Sequence, residues 1–154
     1  SSFEGVVLKA YYFTALRAIN VESPVRPMVD YLEYNGWTCI TKPTQEWAQD
    51  DGKTKIKGNM DIEIATIACE IAPHITDLHL FSGDGDFKFL IESLQRRHGL
   101  NVHVISSIKT QPAMCADILR RQADSFTDLK DIQDNIQRDE DKTRIRRSNF
   151  SEGK

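Results

Sequence analysis

The sequence predicts an α/β protein with a mainly parallel sheet covered on both faces by helices. Three observations predict it. Runs of β-branched and aromatic residues alternate with stretches of helical apolar spacing along most of the chain. The connections between the strand-like runs are too long for hairpins, as parallel crossovers require. The first strand-like run, VVLKAYYFTA (6–15), reads as a strand buried on both faces.

The elements follow in order. After 6–15 and a Pro-bearing connection, VRPMVDYLEYNG carries Met28, Val29 and Leu32 at helical spacing, with Gly36 as its stop. WTCIT (37–41) is a second strand closed by Lys42-Pro43, with Trp37 expected in the core. Residues 44–58 are polar and mixed, expected as a loop. A helix capped near Asn59 places Met60, Ile64, Ile67, Ala68 and Ile71 on one face and closes at Pro73. DLHLFS (77–82) is a strand, DFKFLIESLQRRHG (86–99) a helix ended by Gly99, and NVHVIS (101–106) a strand. A helix over 112–123 and a short strand over 125–129 complete the pattern. The stretch from about residue 134 is charged and poor in apolar residues, expected as a flexible tail.

Composition sets limits. The 154 residues are 40% hydrophobic and 28% charged, the balance of an ordinary globular domain with room for one core. No apolar run reaches a membrane span, and SSFEGVVLKAYYF lacks a signal-peptide pattern. Cys39, Cys69 and Cys115 are distant, odd in number and without a CxxC pair. They read as buried thiols in a reducing compartment, so a cytoplasmic location is expected. A net charge of −3 gives no global basic signal for nucleic acid, and local basic clusters do not exclude it.

The chemistry concentrates in FSGDGDF (81–87), between a strand and the helix that it feeds. Open parallel sheets bind ligands at the carboxyl ends of their strands, which is where this stretch falls. Asp84 and Asp86 admit two readings. In one, Asp86 caps the following helix and Asp84 decorates a turn. In the other, both are oxygen ligands of a cation, with Gly83 and Gly85 allowing close backbone approach. A calcium loop is a poor match, because the D-x-D-x-D-G ladder with its closing Glu is absent. Asp61, at the start of its helix, and Asp124, at the approach to the last strand, are further acids that such a sheet can gather. Carboxylates sharing a small cavity repel one another unless a cation neutralises them.

KGNMDIEIATIACEIA, LHLFSGDGDFKFLIESLQRRHGLNVHVIS and LRRQADSFTDL, in that order, resemble the NYN domain, and within it the LabA-like branch of the PIN-like nuclease superfamily. The resemblance extends upstream through KAYYFTA and YLEYNGWTCITKP, covering about residues 6 to 132. It implies a Rossmann-like three-layer α/β/α sandwich and a metal-dependent nuclease site directed at RNA, with DNA as the other candidate. By motif position Asp61, Asp84 and Asp86 become the Mg²⁺ or Mn²⁺ ligands and Asp124 an assisting acid. The resemblance also implies a first strand with a D-x-x-N motif, which these 154 residues do not contain, and an Asp on the 59–72 helix where Ile67 stands. The expected organisation is one NYN domain over 1–133, with its N-terminal strand missing, and a tail over 134–154.

Lys55, Lys57, Arg120 and Arg121 flank the acids in sequence and are candidate phosphate contacts, with pairing to the acids as the alternative for Arg120 or Arg121. Ser82, at its strand end, joins them on the substrate side or bonds the loop backbone. Trp47, in a polar stretch beside lysines, is the candidate for base stacking. His79 and His103 alternate within strands and read as structural or surface residues. No nucleotide-cofactor motif is present. Two functions follow: a metal-dependent ribonuclease, or a catalytically weak NYN-like module that binds RNA or a protein partner. A homodimer is compatible with either.

Overall fold

The computed structural model describes residues 5–16, 24–48 and 54–136. It is a mixed α/β protein whose sheets carry parallel strands, and it divides into two compact units, Ser1–Thr76 and Asp77–Lys154. No helix among the described residues is long and apolar enough to cross a membrane.

In the first unit, β1 (Tyr11–Leu16) pairs in parallel with β2 (Thr38–Pro43), in register from Tyr11↔Thr38 to Leu16↔Pro43. The expected strand over 6–15 starts later, because Val6, Val7 and Leu8 have no partner strand among the described residues and lie strongly exposed. Helix α1 (Arg26–Tyr34) opens on a proline, where a missing N–H costs nothing, and buries Val29. It stops at Gly36, whose φ of +83° suits glycine, as the sequence predicts. Trp37 is 40% exposed rather than a core residue.

Residues expected as a polar loop instead include an antiparallel pair, β3 (Gln45–Ala48) with β4 (Thr54–Lys57). Ladder hydrogen bonds belong to the main chain, so they need no apolar run to announce them. Helix α2 (Asp61–Ile71) follows, with Met60 and Ala68 buried and a 3₁₀ turn at Ala72–His74 closing it around Pro73. Lys42 at the end of β2 donates to both oxygens of Glu63 in the first turn of α2, at 2.7 and 2.9 Å. That hydrogen bond holds the Glu63 carboxyl below its ordinary range.

The second unit is a parallel three-stranded sheet in the order β5 (Asp77–Phe81), β6 (Asn101–Ser106), β7 (Ser125–Asp128). Leu80, Val102 and Val104 share one face by strand alternation, and with Ile91, Leu94 and Leu119 from the helices they are the buried apolar residues of this unit. Helix α3 (Lys88–His98) carries Ile91 and Leu94, and ends at Gly99 in the left-handed region with φ +66°. Helix α4 (Asp117–Gln122) carries Leu119 and is shorter than the 112–123 expected. The reason is local: Pro112 has no N–H, while the Met114 and Ala116 N–H groups are committed to Ser107 and Gly83 carbonyls. A single helical turn, α5 (Gln133–Ile136), ends the described chain, so the expected tail lies almost wholly outside the described residues.

On the other face, near the amino ends of the strands, His103 ties the three strands together. Its Nε2 is 3.1 Å from Asp77 on β5 and its Nδ1 2.6 Å from the Ser125 hydroxyl on β7. His79 stacks on it at 4.6 Å between ring centroids. Burial and the neighbouring His103 push the His79 pKa down. Of the cysteines, Cys115 is buried and Cys39 half-buried, both thiols raised by burial, while Cys69 is exposed against expectation.

Candidate functional site

The FSGDGDF stretch leaves the carboxyl end of β5 and feeds α3 through a 3₁₀ turn at Gly85–Phe87. Its shape comes from three short-range bonds. The Asp84 N–H donates to the Ser82 hydroxyl at 3.1 Å, and Asp84 Oδ1 accepts from the Asp86 N–H at 2.9 Å. The Phe87 N–H donates to the Asp84 carbonyl at 3.3 Å. Asp84, not Asp86, is therefore the capping residue, reversing the expectation. An Asx acceptor works on the N–H two residues ahead, and Asp84 is the one with non-helical backbone. Ser82 bonds the loop backbone, one of its two expected roles. Phe87 is buried and pins the turn to the core.

The turn is also held from outside, by the segment 107–116. The Ala116 N–H donates to the Gly83 carbonyl at 2.9 Å, and the Met114 N–H to the Ser107 carbonyl at 2.8 Å. A Cβ on Gly83 would lie 1.6 Å from the Met114 carbonyl oxygen, so only glycine fits there. On Gly85 it would lie 3.1 Å from Ile118 Cδ1.

Capping occupies Asp84 Oδ1, while Asp86 makes no side-chain hydrogen bond or ion pair among the described residues. Both carboxylates are exposed, and among the described residues no lysine or arginine pairs with either. Such a turn presents negative oxygen to the solvent without internal compensation. Magnesium is commonly held by one or two carboxylates, with waters and substrate phosphate completing the shell, and this donor set fits that habit. Among the described residues no three His, Cys, Asp or Glu side chains converge as a metal group.

Within the second unit, Asp124 lies at the other end of the sheet from the acidic turn. Asp124 stands at the amino end of β7, beside Val102, whereas the acidic turn follows Phe81, which is level with Ile105. Three residues of parallel strand, about 10 Å, separate those levels before the turn itself is counted. The Asp124 carboxylate accepts from the Val102 N–H at 2.7 Å and Gln95 Nε2 at 2.8 Å. These bonds, the backbone one foremost, hold its carboxyl below the usual range. Its role is to tie α3 to the strand ends. Arg120 and Arg121 ride on α4, which runs from Gly83 towards that same amino end. Arg121 Nε pairs with Asp117 at 2.6 Å, and Arg120, 3.6 Å from Asp117, lies over the Phe126 ring. Neither pairs with Asp84 or Asp86 among the described residues.

Asp61 belongs to the first unit, at the first position of α2. Asn59 Oδ1 accepts its N–H and Asn59 Nδ2 donates to its Oδ2, each at 2.7 Å. Gly58, just before, packs against Ala15 and Thr44, so Asp61 opens its helix near the carboxyl ends of β1 and β2. Lys55, Lys57 and Trp47 are placed by backbone alone on β3 and β4; their side chains lie outside the described set.

One acid was overlooked. Asp128, the last acid of ADSFTDL, lies at the carboxyl end of β7, level with Ser106, and is 4% exposed. Three donors converge on it: the Ile108 N–H, the Lys130 N–H and the Ser107 hydroxyl. They hold its carboxyl below the usual range, the Ile108 bond foremost. Strand alternation could have found it, since Asp128 shares the inward face of β7 with Phe126.

A parallel sheet flanked by helices, with an acidic, glycine-flanked turn at the carboxyl end of a strand, defines an α/β protein of the open-sheet class. The chain belongs to the NYN domain family, whose profile matches residues 2–130. It is similar to low amplitude and bright protein LabA of Synechococcus elongatus, at 30% identity over 136 residues, 87% of this chain and 69% of that one. A crystal structure of a protein of unknown function from Vibrio parahaemolyticus RIMD 2210633 is also similar. Its TM-score is 0.59 at 28% identity, covering 79% of this chain and 68% of the other.

Proposed function

We propose that the protein is a divalent-metal-dependent nuclease acting on RNA, with Asp84 and Asp86 as the carboxylates that hold the cation. The observation that carries this reading is the acidic turn itself. Two exposed carboxylates have no cationic partner among the described residues, and a glycine seat and a capping bond fix their backbone. A turn needs only one Asx residue to close, so the capping role accounts for Asp84 Oδ1 and leaves the rest of the donor set unexplained. NYN family membership supports the same reading. Asp61 enters on its KGNMD motif alone, and Asp124 and the two arginines leave the set.

When bound, Mg²⁺ or Mn²⁺ supplies Lewis-acid charge that neutralises phosphodiester oxygens and lowers the pKa of water. The chain's own contribution is positional. Asp84 and Asp86 fix where the cation sits, Ser82 holds the Asp84 N–H, and Phe87 keeps the turn from shifting with the substrate. Single-stranded RNA is the expected substrate and DNA the comparison.

The test is cleavage of a labelled RNA by the full chain, with Mn²⁺ or Mg²⁺ and with chelator. Wild type should cleave only with metal, and Asp84→Asn and Asp86→Asn should each lose at least about a hundredfold in rate. Undiminished cleavage by both variants would falsify the assignment. A second reading, an RNA- or protein-binding module with little catalysis, is supported by Ile67 on α2 and by the described residues, among which no third acid converges. It predicts RNA binding that survives both substitutions, with no cleavage in wild type.

A further inference from the structure

We propose that Asp128 is the positioning residue of the acidic turn, acting on Asp84 and Asp86 through the 107–116 segment. The inference rests on the nuclease reading for its meaning, but its geometry stands apart from it. The connection is continuous. Asp128 Oδ2 accepts the Ile108 N–H at 2.9 Å, and Oδ1 accepts the Lys130 N–H at 2.9 Å and the Ser107 hydroxyl at 3.3 Å. The carboxylate thereby fixes residues 107 and 108 as they leave β6. The Ser107 carbonyl takes the Met114 N–H, closing the segment on itself. The Met114 carbonyl then fills the space that a side chain on residue 83 would need, and Ala116 bonds the Gly83 carbonyl. Gly83 is covalently joined to Asp84, whose carboxylate holds the Asp86 N–H.

The chemistry requires a carboxylate at this position. Three donors meet one buried group, and an ionised carboxylate is acceptor-only, able to take them all. An asparagine offers one acceptor oxygen and turns an NH₂ towards N–H or O–H groups that have nowhere else to donate. Lys109, the nearby cation, pairs with Asp131 instead. The backbone donors therefore answer the Asp128 charge, so its energy is spent on the path of the chain. The exposed Lys109–Asp131 pair also joins this segment to the turn after β7, and Asp128 is the buried link between them.

Amide hydrogen exchange of the full chain, compared between wild type and Asp128→Asn, tests this. The expected result is local: the Ile108, Met114 and Ala116 amides exchange about tenfold or more faster, while α3 amides such as Ile91 and Leu94 stay within about twofold. In the same variant, the Mn²⁺ concentration for half-maximal RNA cleavage rises about fivefold or more while the rate at saturating Mn²⁺ stays within about threefold. Ser107→Ala, which removes one of the donors to Asp128 and keeps the carboxylate, is the milder variant and should show the same amides leading by about threefold. Unchanged protection at Met114 and Ala116, or equal acceleration across the sheet and α3, overturns the proposal in either variant. If wild type shows no metal-dependent cleavage, the nuclease reading falls, and the exchange pattern alone still decides whether Asp128 positions the turn.

Discussion

At the scale of single residues, three aspartates of one motif set carry three different jobs. Asp84 caps, Asp86 has no side-chain partner among the described residues, and Asp124 ties a helix to a strand. Sequence spacing identified all three as acids of interest and could not separate their roles, because a capping acid and a metal-binding acid look alike in a Gly-Asp turn. Strand register separates them: Asp124 stands at the amino end of its strand, away from the turn. Its folded-state carboxyl lies below the ordinary range, so its bonds to Val102 and Gln95 stabilise the protein above that range and are lost as pH falls through the folded value. Asp124→Asn should therefore lower the urea midpoint at neutral pH, and the gap to wild type should shrink below about pH 4. Metal-dependent cleavage by the folded variant should remain within about threefold of wild type, because Asp124 is outside the acidic turn.

At the scale of elements, α3, β6 and the Gly36 and Gly99 stops were legible because apolar period and left-handed glycine ends are local signals. Three features were not. The β3–β4 pair is built from main-chain bonds in a polar stretch, the start of β1 depends on a partner strand, and α4 loses its first turn to bonds with distant residues. Each depends on what the backbone meets across the fold, which no window of sequence contains. The same cause hid the 107–116 segment as the seat of the acidic turn. Gly83 makes that seat measurable. Gly83→Ala would drive a methyl group into the Met114 carbonyl, a backbone atom that cannot swing aside. It should destabilise the protein by about 1–3 kcal/mol in chemical denaturation. Gly36→Ala, with no crowding atom near its Cβ, should lose stability through strain alone and leave cleavage intact.

At the scale of the whole molecule, the α/β class and the family were legible in the sequence, and the family match covers residues 2–130. The acidic turn was legible as a strand-to-helix turn, and the surroundings of the other candidate residues were not. FSGDGDF proved to be a fixed acidic turn, whereas the arginines of α4, read as phosphate contacts, spend their charge on Asp117. That pairing is local, at i,i+3 and i,i+4 on one helix, so helical spacing from Asp117 was the signal that could have found it. The account stands on the claim that Asp84 and Asp86 together hold one divalent cation. A Mn²⁺ titration of the full chain, followed by electron paramagnetic resonance, tests it most directly. Wild type should bind one ion saturably, and the Asp84→Asn, Asp86→Asn double variant, folded by circular dichroism, should weaken that binding by at least about tenfold. Equal Mn²⁺ affinity in the double variant would contradict it.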